Sequence, residues 1–583
     1  MAALFTTPKR NDKTSGAHFV EPDVRRRTLL AHGSWRRVTR RIVVGAVCAL
    51  TVSSLLMPSV SLAAEWVDVG GTPAGDEAGT WSWDGADDMK LNGYDGGAIN
   101  SAGKLNIAYE GKNTVKTEPD YTGAAIKAQD GTNQKAELNI TSSNSTDELN
   151  VTAEADAIKS TGDLSISGPG TVNTTSTTSD GIEAKGDLSI TGSGTVNATG
   201  GTEGIQSKGK TTIDSSGTVI AKGGEGYGVA AGSDIIIKGG GKVEASSIEE
   251  AAIWADGNID ISGGSQVEAS SQGDLAVDAE GSLAVTNASL DASGVEYGIY
   301  AYKGVTLDHA TVTVRTSAIG GQAIALITDG DDIVIKNGSI VDAFAEGKFS
   351  VAISTRNHQP NVAGGHIYIS DSVVKAIARY VETGGDGPDC YSTDQDGEIT
   401  PERRGVNIGI YAQTTEGIMP ATISIVRSKV TAEGDTAAIF ALAMSTDGKA
   451  IGTIEIEGAS ILTPEGGKVI DYRHKEELSN GIMYEAGQVI GTGDAVIDSP
   501  YDDVIAKKAV IAPSEETKPE DSKPDSKPEG TKATKTVAVA ATGAKTTGKL
   551  AATGDASSVA IVAAALTGTA AIAAGAVVSR KRS

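Results

Sequence analysis

The chain has few of the residues that build thick globular cores or bind metals. Its 583 residues include 24 aromatic residues (5 Trp, 14 Tyr and 5 Phe), 6 His and 2 Cys. Aromatic side chains normally supply much of the buried area of a large domain, so a single thick core is excluded. Glycine is abundant: 73 of the 583 residues are glycine, about one in eight, whereas the usual share is about 7%. This composition predicts a chain arranged in many thin layers.

The charge of the central part of the chain is strongly negative. Residues 64–553 contain 37 Lys and Arg against 71 Asp and Glu, which gives a formal charge of −34. A surface of this charge repels the phosphate groups of DNA and RNA. The sequence therefore predicts that nucleic acid is not a partner.

The N-terminal residues have the pattern of a secretory signal peptide. Several arginines precede an apolar run at residues 42–57, and Ser61-Leu62-Ala63 follows it. This order predicts cleavage between Ala63 and Ala64, with a retained membrane anchor as the alternative. The Arg40-Arg41 pair leaves both the general and the twin-arginine export routes open. Cys48 lies in the apolar run, so cleavage leaves Cys390 as the one mature cysteine and excludes an intrachain disulfide.

The C-terminal residues combine a pentapeptide, an apolar run and a basic tail. The apolar run covers residues 559–578, about 30 Å as a helix, which is long enough to cross a bilayer. This order resembles the cell-wall sorting signal of Gram-positive surface proteins, in its L-A-x-T-G variant. The pentapeptide is Leu550, Ala551, Ala552, Thr553 and Gly554. The resemblance implies that a sortase forms a thioester with the Thr553 carbonyl and transfers the chain to peptidoglycan. A simple C-terminal tail anchor is the alternative.

A polar linker separates this signal from the rest of the chain. Residues 513–549 are rich in Pro, Lys, Glu, Ser and Thr, a composition that cannot bury a core. Its extended length is about 120 Å at about 3.3 Å per residue. We expect a disordered spacer that holds the preceding domain away from the membrane.

The middle of the chain repeats with a period of 23 or 24 residues. Units begin at Gly181, Gly204, Gly228, Ala252 and Ala276, and each contains three short runs of alternating apolar and polar residues. Such runs predict strands with one buried face, and a fixed period of this size predicts stacked coils. Equivalent inward positions keep their residue type, so we expect columns of stacked side chains. One column contains Ile166, Ile190, Ile213, Ile237, Ile261, Val285, Leu307 and Ile335, and another contains Val172, Val196, Val219, Val243 and Val267.

These features predict an all-β protein whose main domain is a right-handed parallel β-helix. The helix is expected over residues 98–512, after a cap at 64–97, with an insertion near 376–408. Residues 513–549 form the linker and 550–583 the sorting signal with its transmembrane helix. A β-propeller, which needs about forty residues per blade, and an array of sandwiches fit the period less well.

The repeat also resembles a bacterial family of carbohydrate-binding β-helix proteins. Units such as Gly181-Ile182-Glu183-Ala184, followed by Leu188-Ser189-Ile190, read like that family's Gly-Ile-x-Ala-x-Gly-x-Leu-x-Ile coils over roughly residues 90–470. The family is related in fold to pectate lyases and is mainly non-catalytic. The resemblance implies a polysaccharide-binding protein, with calcium as a possible aid.

The third residue of each unit suggests where a glycan would bind. Because its side chain should point away from the core, an aromatic residue there is expected to face solvent. This position is held by Trp254, Asp278, Tyr300, Tyr411 and Phe440. Ring faces with a carboxylate between them could stack on sugars and bond their hydroxyl groups. The alternative is that the rings cover the sheet or a neighbouring loop.

The insertion contains the one candidate metal site. Asp394, Asp396 and Glu398 follow the oxygen spacing of a calcium-binding loop, although the twelfth position is Arg403 instead of a carboxylate. A solvated charged loop explains the same residues. The histidines left after export lack metal-binding spacing.

Together these patterns predict a secreted protein attached to the cell wall that acts as a glycan-binding adhesin. Its expected partners are sortase, peptidoglycan and a polysaccharide or host glycan. A polysaccharide lyase or hydrolase, and a passive surface spacer, are the alternatives. No catalytic residue is predicted.

Overall fold

The computed structural model describes eight stretches of the chain. They are residues 67–129, 135–357, 365–381, 407–414, 420–463, 468–478, 481–491 and 508–514. These stretches form strands and turns and contain no helix, so none of them includes a helix with the length and apolarity of a membrane span. The all-β prediction is confirmed for this part of the chain. The signal peptide, the calcium candidates Asp394, Asp396 and Glu398, and the sorting signal lie outside it.

The strands stack into a parallel solenoid with three faces, and each coil contributes one strand to each face. The first face consists mostly of short strands, and seven of them begin with the Ile or Val of the repeat. The strands of this face are Ile99–Ser101, Ile126–Ala128, Ile158–Ser160, Ile182–Ala184, Ile205–Ser207, Val229–Ala231, Ile253–Ala255, Leu275–Ala279, Tyr297–Ala301, Asn407–Thr414 and Ala437–Ser445. Val67–Val69 pairs in parallel with the first of them.

The second face is a separate sheet of 16 strands. It begins with two antiparallel pairings and is parallel thereafter. Its strands are Ala74–Gly75, Trp81–Trp83, Asp88–Asn92, Leu105–Glu110, Leu138–Ser142, Leu164–Ser167, Leu188–Gly192, Thr211–Ser215, Ile235–Lys238, Ile259–Ser262, Ser282–Thr286, Gly304–Asp308, Ile333–Lys336, Ile367–Ser370, Thr422–Val426 and Thr453–Glu457.

The third face joins the first through two long strands that run around the corner between them. Thr311–Asp329 and Ile340–Asn357 contribute to both faces, so the two faces form one sheet of 29 strands. The remaining strands of the third face are Asp95–Gly96, Lys112–Lys116, Glu148–Ala153, Thr171–Ser176, Thr195–Thr199, Thr218–Lys222, Lys242–Ser247, Gln266–Ser271, Ser289–Gly294, Val373–Tyr380, Lys429–Glu433 and Ala459–Thr463.

The core between the faces is built from the expected columns. Ile190 pairs in register with Ile213, which pairs with Ile237, and Val196 pairs with Val219. All of these side chains are buried. Because every coil places the same side chain at the same height, neighbouring coils bury each other's apolar surface.

The Gly-Asp pairs at Gly162-Asp163 and Gly186-Asp187 have a specific role in the turns before two strands of the second face. The Asp163 carboxylate accepts a hydrogen bond from the backbone N–H of Asp187, one coil later, at 2.9 Å. Asp187 does the same for Lys210 at 2.9 Å. A Cβ atom on Gly186 would lie 2.1 Å from the Asp163 carboxylate, so only glycine allows this close approach.

Antiparallel strands end the large sheet at its C-terminal side. Gly481–Gly491 pairs antiparallel with Ala437–Ser445 and with Lys468–Leu478. Lys508–Pro513 pairs antiparallel with Lys429–Glu433 and with Ala459–Thr463. These strands occupy an edge that would otherwise expose unpaired backbone groups.

Candidate functional site

Two neighbouring rows of side chains lie on the outside of the first face. The outer row follows the core Ile or Val of each coil and is held in register from coil to coil. It contains Gln206, Ala230, Trp254, Asp278, Tyr300, Ile327, Ser354, Tyr411 and Phe440. The corner row lies three residues earlier in each coil and contains Asp156, Asp180, Glu203, Tyr227, Ala251, Leu275, Tyr297, Ile324, Val351, Ile408 and Ala437.

An aromatic pair occupies the middle of these rows. The rings of Tyr227 and Trp254 stack with their centroids 5.2 Å apart and an angle of 19° between their planes. Both side chains are half-buried, so part of each ring remains open to solvent. A stacked pair of this kind is stabilised by about 0.5–1.5 kcal/mol beyond its buried area. The pair therefore presents a rigid apolar surface to solvent.

Asp278 lies beside Trp254 in the next coil, in direct register with it. Burial, together with the charges of Glu280, Asp274 and Glu250, raises the pKa of the Asp278 carboxyl to about 7. Below that pH the carboxyl is protonated, so it can both donate and accept hydrogen bonds. An aromatic surface next to such a group could hold a sugar ring and bond one of its hydroxyl groups.

The prediction that the aromatic residues of the outer row face solvent is wrong for three of them. Tyr300 is 8% exposed, and Tyr411 and Phe440 are each 2% exposed. They belong to a second apolar cluster, outside the core, with Ile327, Val351 and Tyr472 among its members. In this conformation, these three rings therefore cannot stack on a sugar that approaches from solvent.

Contacts within this second cluster explain the burial. The Tyr411 and Phe440 rings stack with their centroids 5.7 Å apart. The Phe440 and Tyr472 rings are perpendicular, with their centroids 5.6 Å apart. Tyr472 comes from the antiparallel strand Lys468–Leu478. The Tyr300 hydroxyl donates to Asp329 at 3.2 Å, and burial raises the pKa of Tyr300. The rings thus cover the sheet, which is the alternative set out in the sequence analysis.

On the N-terminal side of the aromatic pair, the same rows hold a buried acidic cluster. Carboxylate oxygens of Asp156, Asp180 and Glu183 lie within 4.8 Å of one another. The Lys159 ammonium contacts Asp156 at 2.6 Å and Glu183 at 2.5 Å, and Lys185 also pairs with Glu183. A lysine ammonium thus occupies the place between two carboxylates that a divalent ion would need. These residues do not fit a metal ion.

The protonation of this cluster follows from its contacts. Burial opposes ionisation of Asp156, but hydrogen bonds from Lys159 and Ser179 outweigh it and lower the pKa. Within the described stretches no lysine pairs with Asp180, and burial together with the adjacent Glu203 side chain raises its pKa. Its carboxyl accepts a hydrogen bond from the Thr202 hydroxyl. The cluster is internally neutralised and has the character of a structural network.

The structure brings together Trp254 and Asp278 from the predicted set and adds Tyr227, which the sequence analysis missed. The repeat was aligned from the Gly or Ala that begins each unit, and Tyr227 is the residue just before Gly228. The same place holds Tyr297 before Gly298. Extending the alignment by one residue would have revealed the corner row.

Comparison with known proteins bears on what this surface binds. Residues 98–343 match the model of a family described as carbohydrate-binding domain-containing protein. The match suggests carbohydrate binding, and it includes Tyr227, Trp254 and Asp278. Neither the curated proteins nor the solved structures include a match to this chain.

Proposed function

We propose that this protein is a glycan-binding adhesin, exported and attached covalently to the cell wall, whose right-handed parallel β-helix binds a polysaccharide or host glycan. The binding part of the proposal rests on the half-buried Tyr227–Trp254 pair beside Asp278. The family match over the same residues supports it.

The binding surface extends over the coils around Trp254. Consecutive coils are about 4.8 Å apart, so Tyr227, Trp254 and Asp278 together span about 10 Å along the solenoid. That length suits two sugar rings, one on the aromatic pair and one beside the carboxyl. The acidic cluster bounds the surface on one side and the buried cluster around Tyr300 on the other.

The anchoring part of the proposal rests on sequence. The pentapeptide from Leu550 to Gly554, the apolar run and the basic tail support transfer by a sortase at Thr553. Export is supported by the signal-peptide pattern before Ala64.

A hydrolase is the second candidate, because one observation favours it. A carboxyl with a pKa of about 7 beside an aromatic surface is what a general acid in glycoside hydrolysis requires. Glu280, Asp274 and Glu250 act on the Asp278 carboxyl electrostatically and are the candidate second carboxylates. A lyase has no comparable support in the described residues.

A glycan array probed with the purified protein, followed by incubation with each bound glycan, tests these proposals. We expect binding without release of new reducing ends. Release of reducing ends that is lost in Asp278→Asn would favour the hydrolase. Absence of binding to every glycan would contradict the adhesin and leave the passive spacer.

A further inference from the structure

A buried arginine lies on the outside of the first face, next to the second cluster. Arg356 is near the end of the strand Ile340–Asn357 and is 5% exposed. It stands in register between Asp329 in the preceding coil and Gln413 in the following one. Burial raises the pKa of both Tyr297 and Tyr300, and the charge of Arg356 acts in the opposite direction on each.

One edge of this guanidinium has no partner. Among the residues that the structure describes, none forms a hydrogen bond with Arg356 Nε or Nη2, although both atoms are shielded from water. These two nitrogens form the edge of an arginine that binds a carboxylate with two parallel hydrogen bonds. Buried guanidinium N–H groups without a hydrogen-bond acceptor are unfavourable, so this edge is suited to an anion that arrives from outside.

Another arginine of the same protein shows what such an edge binds. Arg427 uses Nε and Nη2 to hold the two carboxylate oxygens of Asp371, at 2.8 and 2.7 Å. That pair is exposed, whereas the Arg356 edge is enclosed by protein. The Asp329 carboxylate, in register beside Arg356 in the preceding coil, accepts a hydrogen bond from Tyr300 and none from Nε or Nη2.

The charge of the chain narrows the class of ligand. A polyanion would be repelled by a central segment with a formal charge of −34. A single carboxylate is repelled far less and matches the single free edge.

We propose that Arg356 binds the carboxylate of an acidic sugar that terminates an otherwise neutral glycan. This inference rests on the proposed glycan-binding function. The carboxylate forms paired hydrogen bonds with Nε and Nη2, which lack an acceptor within the described residues. Because both nitrogens are shielded, nearby side chains must move aside to admit the sugar, so association should be slow compared with the usual range of about 10⁵–10⁷ M⁻¹s⁻¹.

The test uses an array of matched glycan pairs, each with a terminal sialic or glucuronic acid and the same glycan with that carboxyl amidated. Wild-type protein should bind at least one acidic member tenfold or more tightly than its amidated partner. Arg356→Gln should abolish this preference, and Arg356→Lys should keep only part of it, because lysine cannot form the paired hydrogen bonds. Binding to neutral glycans should be unchanged in both variants.

The absence of a carboxylate preference in every pair overturns the proposal. If neutral glycans still bind, the proposed function stands and only this inference fails. Melting of Arg356→Met in the absence of glycan gives an independent result, since removing an unpaired buried charge should leave the melting temperature unchanged or raise it. A fall of several degrees would show that Arg356 already has an internal counter-ion, and would also overturn the proposal.

Discussion

Replacing Asp278 with asparagine should stabilise the protein at neutral and alkaline pH and have little effect in acid. The pKa of Asp278 is raised from 3.8 to about 7 in the folded protein. A folded-state pKa above the unfolded value means that the folded chain holds its proton longer as the pH rises. The stability present below about pH 4 is therefore lost progressively until about pH 7.

The size of the loss follows from the shift. At about 1.4 kcal/mol per pH unit, the shift corresponds to about 4 kcal/mol as an upper bound. The side chain still reaches solvent in part, so screening reduces the effect and we expect about 2–4 kcal/mol. Asparagine has a similar shape and no charge, so Asp278→Asn should recover most of this free energy above pH 7.

Thermal unfolding of the two proteins at pH 3.5 and pH 8 measures the effect. The melting temperatures should nearly coincide at pH 3.5, and the variant should melt a few degrees higher at pH 8. Comparing the variant with wild type cancels the contribution of other groups, such as Asp180, whose pKa is also raised. Parallel pH dependences in the two proteins would refute the reasoning, because they would show that Asp278 ionises freely in the folded state.

Three further predictions concern the core, the acidic cluster and the anchor. Ile237 is 1% exposed, so Ile237→Asp places an unpaired carboxylate in a core column, and urea unfolding should show that the free energy of unfolding falls by several kcal/mol. Ile236→Asp, on the outside of the same strand, should lower it only slightly. Similar losses in both would contradict the column. Lys159→Met leaves Asp156 and Glu183 without their shared cation, so the melting temperature should fall at pH 7. It should partly recover at pH 5, where the carboxyl groups become protonated. Lys127→Met, in the preceding coil, is the control. A pH-independent loss would argue against the charge network. Thr553→Ala should move the protein from the wall fraction to the membrane or the medium in cell fractionation, and unchanged wall attachment would count against sortase transfer.

Much of the fold could be predicted because the repeat encodes it locally. Alternation in Ile253-Trp254-Ala255 assigns the inside and outside of a strand, and the period of 24 residues assigns its neighbours. The columns of Ile and Val follow from these two facts. The Gly-Asp turns are also local, since each glycine must make room for a carboxylate one coil earlier.

The long bent strands were not predicted. Thr311–Asp329 and Ile340–Asn357 continue around a corner where earlier coils have turns. They do so by pairing with each other over nearly their whole length, with one irregularity between Ala318 and Gln322. This pairing depends on two distant segments adopting the same path, so neither segment reveals it alone.

The sequence analysis also did not predict which outward-facing side chains are buried, and this affected the candidate site. Alternation shows that Tyr300 and Phe440 point outward, but it does not show what lies over them. Their burial depends on contacts with residues from other parts of the chain, such as Tyr472. Trp254 is only half-buried because its neighbours in the outer row are the smaller residues Ala230 and Asp278.

Glycan binding by Trp254→Ala, compared with Tyr368→Ala, tests the central claim most directly. Tyr368 is 38% exposed on the second face, so its variant also removes an accessible ring but lies away from the proposed surface. Loss of ring stacking of about 1–2 kcal/mol should weaken glycan binding by Trp254→Ala about tenfold, while Tyr368→Ala binds like wild type. The melting temperature of Trp254→Ala should fall only slightly, because the variant also loses the stack with Tyr227. A lower melting temperature with unaltered glycan affinity in Trp254→Ala would contradict the account, because the ring would then stabilise the solenoid and bind nothing.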